Sequence, residues 1–352
     1  MEKGDPAMPP ATLLRRTVFA ALACAALLPA APPAEAGATL DGIRRLGYLR
    51  CGVSGMVAGM SLPDATGRMQ GYDAEMCRAV AVAIFNDAEK VRFVPTTAQT
   101  RFTALQSGEV DMLSRTTALT LNRDSQLGLT VTAATFWTGQ GFLVNKRLNV
   151  TEAKQLNGAT VCATSGSEIE RNIADWASTN KLRLTTVAFD TPSAILDAFL
   201  AGRCDAISND MINLSANRRA APNPANFVLL PDIIAKEPQG ILVRNGDAEF
   251  AQLTRWAFFA MVQAEEFGLT RANVAEARAA TQDAKIRRFL GLTDNVGRGF
   301  GSDNSFAYEI VRQVGNYGEV FERTAGRDGL GMDRGPNRLW TDGGLHVSWL
   351  WQ

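Results

Sequence analysis

Two stretches, Phe102–Arg115 (FTALQSGEVDMLSR) and Leu196–Asp210 (LDAFLAGRCDAISND), read as one unit written twice. In each, a short amphipathic run ends at a Gly, which favours a helix stop because it enters the left-handed region without a Cβ clash. A brief apolar strand follows with Asp at its second residue, and a polar loop follows the strand. Helix, Gly stop, strand and loop repeated this way predict two α/β lobes of similar construction.

Working outward, the flanking segments keep the alternation. Leu40–Val53 (LDGIRRLGYLRCGV) reads as helix, Gly turn and strand, and Gly71–Phe85 (GYDAEMCRAVAVAIF) as a helix with Asp73 as N-cap. Met76, Val80, Ala83 and Ile84 give that helix an apolar stripe. Val91–Pro95 is a strand, and Arg101 opens the short helix of the first repeat. A second set holds a strand at Gly141–Lys146, strand–turn–helix over Gly158–Ala177, and a strand at Leu184–Asp190. The chain then returns through Glu237–Asp247 to an amphipathic helix, Phe250–Gly268, with Phe250, Leu253, Trp256 and Ala260 along one side. The pattern predicts an α/β fold of mostly parallel sheets flanked by helices.

The N-terminus has the three parts of a secretory signal. Arg15 and Arg16 precede the apolar run Thr17–Ala30, and Ala34-Glu35-Ala36 supplies an A-x-A cleavage site. A signal peptide over residues 1–36 and an exported mature chain are expected. The resemblances of Arg15-Arg16 to a twin-arginine signal and of Ala21–Cys24 to a lipoprotein box are weak. Cys51, Cys77, Cys162 and Cys204 remain after cleavage, an even set for an oxidising compartment. They allow three pairings. The short-range one, Cys51–Cys77 with Cys162–Cys204, would staple each half of the chain, and free buried thiols are the bland alternative.

Composition excludes several functions. Lys plus Arg number 36 and Asp plus Glu 36, so no basic footprint for nucleic acid exists. The only histidine is His346, which leaves little for a Ser-His or Cys-His engine or a histidine metal site. No metal and no cofactor are expected. Binding is the default, and the loop Ser114–Asp124 (SRTTALTLNRD) shows where. Thr120 is a natural N-cap for a helix whose first turn carries Arg123, yet a cation gains nothing from the dipole there. Such an Arg belongs to a cleft, where amides, hydroxyls and a guanidinium face one small anion. Strand-end loops of two α/β lobes meet at such a cleft, and Ser208–Ser215 and Thr164–Glu168 supply the other side.

Eight stretches together carry a resemblance: GYDAEMCRAVAVAIF, RFTALQSGEVDMLSR, LTLNRD, GQGFLV, AGRCDAISND, EPQG, AEEFG and VGNYGEVFER. From about Leu40 to the C-terminus the chain resembles periplasmic solute-binding proteins of polar and general L-amino-acid ABC importers (extracellular solute-binding family 3), in particular the longer general subgroup. The resemblance implies a type II two-lobed fold with a two-strand hinge at GFLV and GILV. Lobe 1 would comprise residues 38–141 and the return 241–352, the latter with the C-terminal extension, and lobe 2 residues 142–240. It implies that Arg123 pairs with the ligand's α-carboxylate and Asp210 with its α-ammonium. Thr116, Thr117, Ser54 and Ser167 fall at cleft-lining positions, and Trp137 would stack on the ligand or pack at the hinge.

Three departures from the family pattern stand out: Met60 replaces an aromatic residue often found near the mouth, and two bear on the ligand's carboxylate. Ala118 stands where a Ser or Thr hydroxyl is usual, and Glu168 where a Thr usually touches the same carboxylate. Turned to solvent, Glu168 leaves amino-acid binding intact. Turned inward, it implies a ligand that is cationic, lacks a free carboxylate, or arrives with a proton or metal ion. The implied function is non-enzymatic: a monomeric importer component that captures an L-amino acid or related small polar solute and delivers it to a membrane permease. The rival readings are a periplasmic dehydratase-like enzyme, with Glu168 as general acid, and a ligand sensor for a receptor. The tail Gly291–Gln352 is rich in Gly and Trp, but GRGFG and GLGMDRG lack the strand–helix context of nucleotide loops.

Overall fold

The computed structural model describes Met1 and Gly37–Gln352. The expected signal peptide falls outside the described residues, apart from Met1. Helix α1 (Ala38–Leu46) buries Leu40 and Ile43 and stops at Gly47, whose amide donates back to Ile43 and Arg44 carbonyls. Strands β1 (Leu49–Val53), β2 (Leu62–Pro63) and β3 (Met69–Gln70) lead into helix α2 (Tyr72–Phe85). Strand β4 (Val91–Pro95), helix α3 (Arg101–Ser107), strand β5 (Met112–Leu113) and helix α4 (Leu121–Gln126) complete the first set. The second runs β6 (Leu129–Asn145), β7 (Thr160–Thr164), α5 (Ile169–Thr179), β8 (Thr185–Phe189), α6 (Pro192–Leu200), β9 (Ala206–Asp210), α7 (Met211–Ala220) and β10 (Phe227–Leu229). Strand β11 (Ala235–Arg244) returns to helix α8 (Ala248–Glu266), followed by α9 (Val274–Ala280), α10 (Ala284–Phe289), α11 (Phe306–Gln313) and α12 (Tyr317–Thr324).

Nine strands join in one sheet of order β4-β1-β5-β11-β6-β9-β7-β8, with β10 beside β6. The strands at each end pair in parallel: β4, β1 and β5 in one half, β8, β7 and β9 in the other. The antiparallel pair β6–β11 joins the halves. The repeated units supply α3–β5 and α6–β9, and β5 and β9 take matching places against that central pair. The whole is a type II periplasmic-binding-protein architecture.

Strand β6 begins at Leu129 rather than at Gly141 and runs 17 residues, long enough to belong to both halves. Its first part pairs with β11 and its last part with β9 and β10. Where the two long strands cross, the register slips at Gly240. A Cβ there would stand 2.1 Å from the Ala133 carbonyl oxygen, so only Gly lets the backbones approach.

Helix α2 differs from expectation in two ways. Its N-cap is Gly71, not Asp73, whose carboxylate turns instead toward the loop after β5. The helix is also buried on more than one stripe, because α11 and α12 from the C-terminal extension cover the face opposite the sheet. The tail thus completes the first core: Phe306, Ile310, Tyr317 and Phe321 join it, and Trp351 packs edge-on to Trp256 with centroids 5.3 Å apart. The second half has its own cores around Phe142, Ile173, Ile195 and Phe199. Disulfides Cys51–Cys77 and Cys162–Cys204 staple one half each, the short-range pairing.

Candidate functional site

The loop after β5 is built around two buried charges. Ser114 Oγ donates to Asp73 Oδ1 at 3.0 Å, and the Thr116 amide donates to Asp73 Oδ2 at 3.1 Å. That second bond anchors Thr116 at a φ of 42°, a conformation side chains other than Gly rarely take. Thr117 is fully buried; its Oγ1 accepts from Arg101 Nη1 at 3.3 Å and donates to the Arg115 carbonyl at 3.1 Å. Arg115 Nε donates to the Thr96 carbonyl at 2.9 Å. Thr120 caps α4 as expected, accepting from the Arg123 amide at 3.3 Å.

Arg123 itself does not face open space. Its guanidinium donates to the Ala118 carbonyl and to Glu168 Oε2, and lies over the Phe102 ring at 5.1 Å. Ala118 is buried and its backbone bridges to Gln239. Arg101 stacks on Phe102 as well, at 4.7 Å. Phe102 thereby supports two cations whose mutual repulsion it partly offsets.

From the other half come the β7–α5 turn and the end of β9. Gly166 has φ 69°, and Ser167 Oγ donates to the Thr164 carbonyl at 2.7 Å. Glu168 occupies the N-cap position of α5, but its side chain makes no capping bond. It is turned inward to Arg123, with Arg101 Nη2 3.9 Å from the same oxygen. Asp210 caps α7, accepting from the Asn213 amide at 2.9 Å and from Asn213 Nδ2 at 2.7 Å. The halves touch directly here; Gln99 Nε2 donates to Ser165 Oγ at 2.7 Å.

Between them lies a narrow cleft of about 40 Å³. Ser54, Thr116, Ser167, Glu168 and Asp210 line it, joined by Arg101 and Arg115. Thr117, Ala118 and Arg123 stand behind this lining. Trp137 is set on β6, its backbone held by Asn337 of the extension. Arg101 is 2% exposed, and its Nε and Nη2 have no hydrogen-bond partner among the described residues.

Burial dominates the electrostatics. It pushes the Arg101 guanidinium well below its ordinary value, helped by Arg115 and Arg123, and brings Arg115 to about 10. It raises Asp73 to about 7 against the hydrogen bonds from Ser114 and Thr116, and raises Asp210 against those from Asn213. Glu237, on β11, goes up to about 9, through burial and then through the charges of Glu168 and Asp210. Its Oε1 accepts from Asn172 Nδ2 at 3.0 Å. Burial also raises Glu168, but the Arg123 and Arg101 guanidiniums outweigh it and hold the carboxyl below its ordinary range. The cleft therefore has a cationic pole at Arg101 and Arg115 and an anionic pole at Asp210. Opposite charges on facing walls can pair with the two ends of a small zwitterion.

Sequence reasoning missed Arg101, Arg115, Asp73 and Glu237 as members of the site. Arg101 carried a usable signal: as first residue of α3 it has the same unfavourable place at a helix start that singled out Arg123. Asp73 and Glu237 carried none, since only the fold buries them. His346, 2% exposed, packs on Tyr317 at 4.3 Å; burial lowers it to about 3, so it stays neutral.

A sheet shared by two halves, with a charged cleft where their strand ends meet, defines a two-lobed binding protein. The chain belongs to the bacterial extracellular solute-binding proteins, family 3, whose family model matches residues 49–273. It is 44% identical over 328 residues to the glutamate/glutamine/aspartate/asparagine-binding protein BztA of Rhodobacter capsulatus, covering 93% of this chain and 96% of that one. The general L-amino acid-binding periplasmic protein AapJ of Rhizobium johnstonii is 42% identical, covering 95% and 99%. A solved ABC transporter periplasmic binding protein from Brucella ovis with glutathione bound superposes with a TM-score of 0.87 at 41% identity, covering 89% and 99%. Among the described residues no helix is long and apolar enough to cross a membrane.

Proposed function

We propose that this chain is the solute-binding component of an amino-acid ABC importer, exported to the periplasm, monomeric and without catalytic activity. The observation that carries the reading is the pair of opposite poles lining one cleft, Arg101 and Arg115 from one half and Asp210 from the other. The names and 42–44% identities of BztA and AapJ support it. An L-amino acid or related small polar solute bridges lobe 2 (residues 142–240) and lobe 1 (38–141 with 241–352). Asp210 takes the ammonium, and Ser54, Thr116 and Ser167 offer further polar contacts. Closure brings both sets of contacts to one ligand and presents both lobe surfaces to the permease, so ligand selects the closed population. Trp137, Thr117 and Ala118 shape the hinge and the floor beneath the ligand.

A thermal-shift panel tests this with the common L-amino acids, glutathione, polyamines and small carboxylates. A ligand of the folded state raises the midpoint with the logarithm of its concentration over Kd. Stabilisation by one or more L-amino acids or by glutathione is expected. Silence from all of them would remove the amino-acid reading.

A further inference from the structure

Glu168 stands at the start of α5 without capping it, and spends its carboxylate on Arg123 across the cleft. The other bond of that guanidinium goes to the Ala118 carbonyl, so the fork is engaged by the protein itself. Arg101 is nine-tenths buried and lines the cleft; its Nη2 lies 3.9 Å from the Glu168 oxygen that Arg123 holds, and neither Nε nor Nη2 has a hydrogen-bond partner among the described residues. Buried donors left unpaired are costly, and an acceptor entering the cleft would satisfy them. Arg115 lines the same wall. A purely cationic ligand would meet the like charge of these two guanidiniums and bring no acceptor to Arg101, which disfavours it.

We propose that Glu168 is the specificity-determining residue of this cleft: a carboxylate supplied by the chain that occupies Arg123 and moves the station for the ligand's carboxylate to Arg101. The inference rests on the amino-acid reading above. The ligand is then a zwitterion held between Arg101 and Asp210. Arg123 serves as the partner that positions Glu168, and Ala118 needs no hydroxyl because no ligand anion reaches it.

Calorimetric Kd values for L-glutamine, L-glutamate and whichever other amino acid shifts the wild type decide it, measured on R101Q, R123Q, E168A and E168A/R123Q. Arg101→Gln is expected to weaken binding about a hundredfold, and Arg123→Gln only by about fivefold or less, through the release of Glu168 toward Arg101 rather than through a lost ligand contact. Removing Glu168 returns Arg123 to the ligand, so R123Q on the E168A background should lose about tenfold or more. Arg123→Lys, which keeps the charge beside Glu168, guards against a folding defect in R123Q. Equal losses for R101Q and R123Q in the wild-type background would overturn the proposal, since the ligand must then displace Glu168. A wild type silent to every amino acid beside an E168A that binds them would also overturn it, because Glu168 would then exclude carboxylates altogether. If no variant responds to any amino acid, the amino-acid reading of the cleft has failed, and the inference falls with it.

Discussion

The side-chain amide of Asn337 grips the backbone of Trp137: Nδ2 donates to the Trp137 carbonyl at 2.8 Å, and Oδ1 accepts from its amide at 2.7 Å. Tyr317 Oη donates to the same Oδ1 at 3.2 Å. The extension thus bonds to β6 next to its crossing with β11. Asn337→Ala leaves both backbone groups without partners in a half-buried strand. Chemical denaturation should show a loss of about 1–3 kcal/mol. An unchanged midpoint would mean that water replaces the amide and the grip contributes nothing.

Two buried acids set a pH dependence. Asp73 at about 7 and Glu237 at about 9 both lie above ordinary carboxylate values. The folded state therefore keeps protons that the unfolded chain releases above about pH 4. Their contribution is full below that pH and is lost as pH rises through the two folded values. Glu237→Gln keeps an acceptor for Asn172 and removes the titration. Near pH 8 it should unfold at least about 1 kcal/mol harder than the wild type, with the difference shrinking toward about pH 5. Parallel pH curves for the two proteins would reject Glu237 as the source.

Asp210 has two duties that one substitution separates. Asn caps a helix as well as Asp, so Asp210→Asn should leave the start of α7 and the unfolding midpoint nearly unchanged. It removes the negative pole, and affinity for any amino acid that binds the wild type should fall about thirtyfold to a hundredfold. Unchanged affinity on calorimetry would mean that the ammonium is held elsewhere.

The Cys162–Cys204 bridge spans a sequence separation of 42 residues within the second half. Replacing both by Ala restores that loop's freedom to the unfolded chain. A loss of about 3–4 kcal/mol is expected in equilibrium unfolding. A double mutant as stable as the parent under oxidising conditions would show that packing alone holds β7 against β9.

Much of the fold could be read because its signals are local. The Gly stops after α3 and α6, the alternation of helix and strand, and the repeated unit each depend on neighbouring residues. The length of β6 could not be read so easily. Its first part, LTVTAATFW, is β-prone at both ends but carries Ala133-Ala134 at its centre, and it mixes buried and half-buried residues as it passes from one half of the sheet to the other. The site divides in the same way. Thr120 and Arg123 announced themselves by an odd cation at a helix start, whereas Asp210 came only through the family resemblance. Glu237 and Asp73 needed the fold, since a carboxylate in sequence gives no sign that it will be sealed from water. The direction of Glu168 was left open between solvent and cleft, and the approach of Arg123 from the opposite half decides it.

The place of β11 between β5 and β6 also governs how the chain is made. Met112–Leu113 and Leu129–Asn145 are near neighbours in sequence, yet they border not each other but a strand that begins at Ala235. A nascent chain shorter than that has two bare strand edges and no means of closing its centre. Pairings between residues so far apart assemble slowly, because the closure entropy precedes the contacts that offset it. The centre of the sheet therefore cannot close until the strand that starts at Ala235 is present. A centre that closes late is compatible with export of an unfolded chain.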